Sequence, residues 1–316
     1  MPNYNGVWSL STQYQYAATW QADNLPPVTA LFAGGVTTGN SPHNVIQTIG
    51  VNSLGNASDF GDLSAANNAL ASVSSKTRAV FGGGDNGSSV SRNVMEYVTI
   101  LTTGNVTDFG DLTLQRFNLG GAGNNTRGIF FAGWNSQADA IQNVIDYITI
   151  ASTGDATDFG DTTAGWYRLA GLASSTRAVV GSGTAAANPT NVMEYVTISS
   201  TGNSQDFGDL TVARRFATAA SSPTRGLFIG GTSSNVIDYI TIASTGNATD
   251  FGDTGGTNAS PNATSSSLRA IHTRAGEYSN IIEFVTIATT GNSADFGDLA
   301  TAFNDGTGCS NGHGGL

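Results

Sequence analysis

Few residues in this chain could do chemistry. His43, His272 and His313 are the histidines, Cys309 is the lone cysteine, and the acids are dominated by Asp-Phe-Gly-Asp, a tetrapeptide present six times. Asp-Phe-Gly opens a magnesium motif in protein kinases, but that chemistry needs a single copy beside a glycine-rich loop, a strand lysine and a catalytic loop. Sixfold recurrence excludes it. The histidines show neither His-x-His nor His-Glu-x-x-His spacing, so no transition-metal site is expected, and His43 and His272 read as solvated loop residues. Calcium takes six or more oxygens from several groups, and the acidic turns lack the dense Asp-x-Asp-x-Asp spacing that supplies them. No Gly-x-Ser-x-Gly elbow lies between a strand and a helix. The expectation is a non-enzymatic protein without a cofactor, in which Cys309 is a buried structural thiol.

The elements that must hold these residues follow from the repeat. The tetrapeptide begins at Asp59, Asp108, Asp158, Asp206, Asp250 and Asp295, at spacings of 49, 50, 48, 44 and 45 residues. One supersecondary unit is therefore used six times. In the fifth copy Arg215 to Ala220 is a small, apolar first strand, and Gly226-Leu227-Phe228-Ile229 is a second, closed by Gly230-Gly231. Asn235 to Ile242 alternates as a two-faced third strand, and after a Ser-Thr-Gly-Asn turn the tetrapeptide forms a short fourth. Four short antiparallel strands, repeated six times, predict an all-β, six-bladed propeller.

The first copy starts at its second strand, Thr29 to Gly35, while Ala302 to Ser310 is left over after the last copy. The spare segment is expected to complete the first blade and close the ring, which removes two open sheet edges. The chain then divides into an N-terminal arm, 1–27, and a propeller, 28–316. In the arm Trp8, Tyr14, Tyr16 and Trp20 form an aromatic segment suited to docking, with Ser9 or Ser11 placed to cap a short helix before Pro26-Pro27.

In the tetrapeptide, Phe is expected to fill the space between blades, Gly to permit a tight bend, and the Asp side chains to bond turn amides or arginine. Arg78, Arg127, Arg177, Arg225 and Arg269 stand in one register ahead of the second strands. They are expected to clamp an acid in matching register, such as the first Asp of a neighbouring tetrapeptide. The loop between second and third strands varies from copy to copy, and variable loops of a propeller gather on one face. Trp134 and His43 fall in such loops, and the sixth loop, Ile271 to Ser279, brings His272, Arg274, Glu277 and Tyr278. These six are the candidate partner-binding residues, with Trp134 as an exposed contact.

Composition narrows the partners. Twelve basic against 23 acidic residues give a formal charge of −11, with Lys76 the only lysine, so no basic stripe exists for nucleic acid or an anionic membrane. No run of 18 apolar residues and no secretory signal is visible, which predicts a soluble protein without membrane insertion.

The glycine pairs (Gly34-Gly35, Gly82-Gly83, Gly230-Gly231) and the acid-aromatic pairs (Glu96-Tyr97, Asp146-Tyr147, Glu194-Tyr195, Asp238-Tyr239) resemble kelch repeats. Phe replaces the usual Trp on the fourth strand, and the first copy has Gln47-Thr48 where the acid-aromatic pair belongs. The unit Asn235 to Asp253 and the ending Cys309 to Leu316 resemble kelch-like virion proteins of tailed phages, of the cyanophage type. That resemblance implies a virion component on a tail or capsid surface, in multiple copies and in contact with other virion proteins. A tail fibre or appendage binding a host-surface glycan or protein is one expectation. An architectural capsid-decoration or tail-assembly protein, contacting only sibling subunits, is the other.

Overall fold

The computed structural model describes residues 27–186, 188–258, 260–274 and 279–316. The described residues form six four-stranded antiparallel sheets and one small two-stranded ribbon, with no helix among them. The sheets are the blades of a six-bladed β-propeller. From the axis outward, blade 2 is Ala71–Ser74, Arg78–Gly82, Val94–Thr99 and Thr107–Asp111, and blades 3 to 6 repeat the order. Blade 1 takes its innermost strand, Thr307–Ser310, from the far end of the chain, antiparallel to Thr29–Ala33. The closure anticipated for 302–310 is present, with Leu31 paired to Cys309 and Phe32 to Gly308.

The blades fit because of what the tetrapeptide does to the outermost strand. In every blade the register slips there: Met95 pairs with Gly110 and Glu96 with Asp108, so Phe109 is the extra residue of a β-bulge. The bulge drives Phe60, Phe109, Phe159, Phe207, Phe251 and Phe296 into the core, each at most 4% exposed. The following glycine has φ between 136° and 153°, and a Cβ there would strike the backbone of the next blade. The close approach carries two hydrogen bonds. Gly154 N–H donates to the Phe109 carbonyl at 2.7 Å, and Asp111 N–H donates to Asp155 Oδ1 at 3.0 Å. Asn supplies this oxygen elsewhere, including Asn56 across the closing junction. The first Asp of all six tetrapeptides is exposed, so its expected bond to a turn amide or arginine is corrected: the backbone of the motif makes these contacts.

The arginine clamp exists, with a different partner. Arg78, Arg127, Arg177, Arg225 and Arg269 donate from Nη1 to carbonyls at the end of the next blade's third strand: Ile150, Ile198, Ile242, Ile287 and Val51. Each guanidinium also lies over an aromatic ring of its own third strand, 4.1 to 4.5 Å from the centroid. That ring meets the tetrapeptide Phe edge to face. Blade 1 has Thr29 and Thr48 where the others carry arginine and the ring, so both halves of the device are missing together. Its junction with blade 2 is tied nearer the axis, by Ser72 Oγ to Thr307 Oγ1 at 2.7 Å and Ser74 Oγ to the Ser310 carbonyl at 2.8 Å.

Buried polar side chains on the third strands of blades 1, 3, 4 and 5 tie consecutive blades. Asp146 binds Arg116 at 2.6 Å with both side chains fully buried, and Asp238 binds Arg214 at 2.9 Å. Glu194 instead accepts from Thr163 and Ser204, and Gln47 exchanges two hydrogen bonds with the Thr301 backbone. A buried charge must be paired or hydrogen-bonded to be tolerated, and each of these is.

Candidate functional site

The connections from an outermost strand to the next innermost strand open on the same face as the loops between second and third strands. Backbone bridges join the two sets at Asn68 and Asp85, Phe117 and Trp134, and Tyr167 and Thr184. On this face the central channel widens into a recess of about 660 Å³ that counts its open mouth.

Six residues ring that mouth at equivalent positions: Ala69, Asn118, Arg168, Phe216, Ser260 and Asp305, each ten residues beyond the first Asp of a tetrapeptide. All six are left-handed, with φ between 54° and 62°, a conformation non-glycine residues rarely adopt. What holds them is a chain of backbone hydrogen bonds from blade to blade. Ala69 N–H donates to Asp305, Asn118 to Ala69, Arg168 to Asn118, Phe216 to Arg168 and Ser260 to Phe216, at 2.6 to 3.2 Å. The backbone is the same six times while the side chain is different six times. Six of the thirteen left-handed non-glycine residues among those described stand around this one recess.

The segment 311–316 crosses the other end of the channel, below a second, smaller recess that His313 helps to line. His313 Nε2 lies 3.1 Å from the Ser74 carbonyl, and Gly314 and Gly315 pass so close to the backbone of Ser222 and Gly123 that a Cβ on either would collide. Above them serine hydroxyls stitch innermost strands together, Ser310 to the Ser265 carbonyl, Ser265 to Ser221 and Ser221 to Ala173. The recess is therefore blind.

Within the mouth Arg168 and Asp305 belong to blades 4 and 1, opposite each other across the ring. No ion pair joins them, yet each feels the other's charge, and Arg215 adds a second nearby cation. Burial holds the Arg168 guanidinium below its usual range and pushes the Asp305 carboxyl above its own, while Ser260 draws Asp305 back down. Arg168 lies over Phe216 at 4.3 Å and Tyr167 at 4.8 Å, and Tyr167 meets Trp134 at 5.4 Å. Trp134, Tyr167, Arg168 and Phe216 thus form one stacked row from the blade 3 loop into the mouth.

Of the residues singled out by sequence, Trp134 is the one that reaches this site, and it does so through Tyr167. It is half-buried at the end of a strand extension, Arg127–Asn135 against Ala140–Thr149, not a free loop contact. His43 is not solvated. It packs on Phe303 at 5.0 Å, its Nδ1 accepts from Val45 N–H at 3.1 Å, its Nε2 is shut away without a partner, and burial lowers its pKa. His272 is corrected likewise: it is fully buried inside the strand Arg269–Thr273, beside Glu283, which Arg274 binds at 2.9 Å. Glu277, Tyr278, and the arm with Trp8, Tyr14, Tyr16, Trp20 and its capping serines lie outside the described residues. The glycine pair of blade 2 is Gly83 and Gly84 by conformation, one residue later than the sequence suggested. Cys309 is buried as expected, its thiol pushed up to about 12 by desolvation.

Arg168, Phe216, Ser260, Asn118 and Asp305 were missed. The sequence does not set them apart, because the flanking columns vary as well: Asn68, Phe117, Tyr167, Arg215, Ala259 and Asn304 stand one residue before, and Leu70, Leu119, Leu169, Ala217, Pro261 and Gly306 one residue after. Among the described residues no group of three or more His, Cys, Asp or Glu is placed to hold a metal ion. No protein-family model and no curated protein matches this chain.

Proposed function

We propose that the chain is a non-enzymatic virion protein of a tailed phage, whose propeller presents its recessed face for adhesion to a host surface. The observation that carries a recognition role is the mouth itself: six different side chains on a sixfold-constant, strained backbone ring. Such a ring offers specificity without disturbing the fold that supports it. The setting on a phage particle rests on the kelch-like repeat and its resemblance to phage virion proteins. Labelled protein should bind host cells, and exchanging the mouth residues for alanine should remove that binding while the melting temperature stays within a few degrees. Absence of cell binding at micromolar protein would reject adhesion.

An architectural role in the capsid or tail is the second reading, and one observation favours it. On the face opposite the mouth Leu54, Leu101 and Leu268 are 62%, 52% and 68% exposed, on the contiguous blades 1, 2 and 6. Three exposed leucines on one face suit contact with a sibling subunit. Replacing the three leucines with serine should then block incorporation into particles, and unchanged incorporation would reject this reading.

A further inference from the structure

The mouth contains a cation that stacks on aromatic rings and has no ion-pair partner among the described residues. It is the Arg168 guanidinium, and among the same residues its buried Nε has no hydrogen-bond partner. An unmet buried donor is costly, and a planar guanidinium held against Phe216 and Tyr167 is pre-oriented for a two-pronged bond to a carboxylate. Arg215 leaves the local balance at two cations to one carboxylate, which favours a monoanion over a zwitterion.

The rest of the ring suits hydroxyl groups. Asp305 accepts hydrogen bonds, Ser260 donates or accepts, and the Asn118 amide does both. Asp305 also counts against a dianion such as phosphate, because its charge would face a second negative group. Segment 311–316 closes the channel below, so a ligand enters from one side and only the end of a longer molecule fits.

Resting on the adhesion reading above, we propose that the recess binds a terminal acidic sugar, with Arg168 taking its carboxylate and Asp305, Ser260 and Asn118 its hydroxyls. The ligand class is a monosaccharide bearing one carboxylate at the exposed end of a surface glycan.

The test is titration calorimetry on the full chain with four probes: glucuronic acid, its methyl ester, methyl glucoside and glycine. The acid should bind, and the ester and the glucoside should bind at least about ten-fold more weakly, the usual scale for losing a charge-assisted pair. Arg168→Gln should lose a similar factor for the acid and nothing for the glucoside. The ester comparison uses unaltered protein, so it decides the matter even if the variant does not fold. Equal binding of acid and ester, preference for glycine, or no binding of any probe overturns the proposal. Host-cell binding without acid binding overturns the ligand and leaves adhesion standing; acid binding without cell binding does the reverse.

Discussion

Arg127 offers a sharp test of what holds neighbouring blades together. Its Nη1 donates to the Ile198 carbonyl at 2.7 Å, and its guanidinium lies 4.3 Å from the Tyr147 centroid. A hydrogen bond from a charged donor contributes about 1.5–3 kcal/mol and a partly exposed cation–π contact about 0.5–1 kcal/mol. Because Arg127 is half-exposed, the lower end applies, so Arg127→Ala should cost about 2 kcal/mol. In a chain of this size that lowers the melting temperature by about 3 °C. Arg127→Lys keeps the charge but not the planar stack, and should fall about midway. Thr29 occupies the same register in blade 1 without a clamp, and Thr29→Ala should stay within about 0.5 kcal/mol of the parent. Urea unfolding followed by tyrosine and tryptophan fluorescence, with thermal melts alongside, measures all three. If Arg127→Ala unfolds like the parent, or if Thr29→Ala costs as much, the inter-blade arginine is not the tie described.

Four further outcomes are expected. Deleting the residues after Asp298 uncovers Leu31 and Phe32, both fully buried, and should cost about 4–6 kcal/mol, read as a melt lower by about 6–9 °C; an unchanged melt would show that closure is dispensable. Arg116→Ala strands the buried Asp146 carboxylate and should cost about 3–5 kcal/mol, whereas the pair Arg116→Met with Asp146→Leu should recover most of that in denaturant titrations. Cys309 should resist a thiol reagent at pH 8 in the native protein and react stoichiometrically in urea, so rapid native labelling would contradict its burial. Burial lowers the pKa of both His272 and His313 below 6.5. The unfolded chain therefore takes up protons first, so the stability these neutral histidines contribute is present above pH 6.5 and is lost as pH falls through their lowered values. His313→Gln should flatten the acid side of a stability–pH curve, and an unaltered slope would argue against it.

The ring was legible because its signals are local and repeated. Phe109 with Gly110, the alternation of Val236 to Ile242, and a strand-sized remainder at 302–310 need no knowledge of distant contacts. The arginine partner was misjudged because a backbone carbonyl such as Ile198 leaves no mark in the sequence, while an acid in register does. His272 was misplaced because the run Arg269–Thr273 lacks the closing glycine that ends the other second strands, so the strand looked shorter than it is. The mouth was invisible for another reason. Its members lie 44 to 50 residues apart in sequence and meet through ring geometry, so each taken alone is an ordinary connecting residue.

The junction between Thr29–Ala33 and Thr307–Ser310 has a consequence for biogenesis. Translation is directional, so the blade begun first is finished last, after its five siblings have left the ribosome. Until then Thr29–Ala33 presents a bare strand edge to other nascent chains, and crowded expression should favour exchange of closing strands between molecules over the correct intramolecular seal.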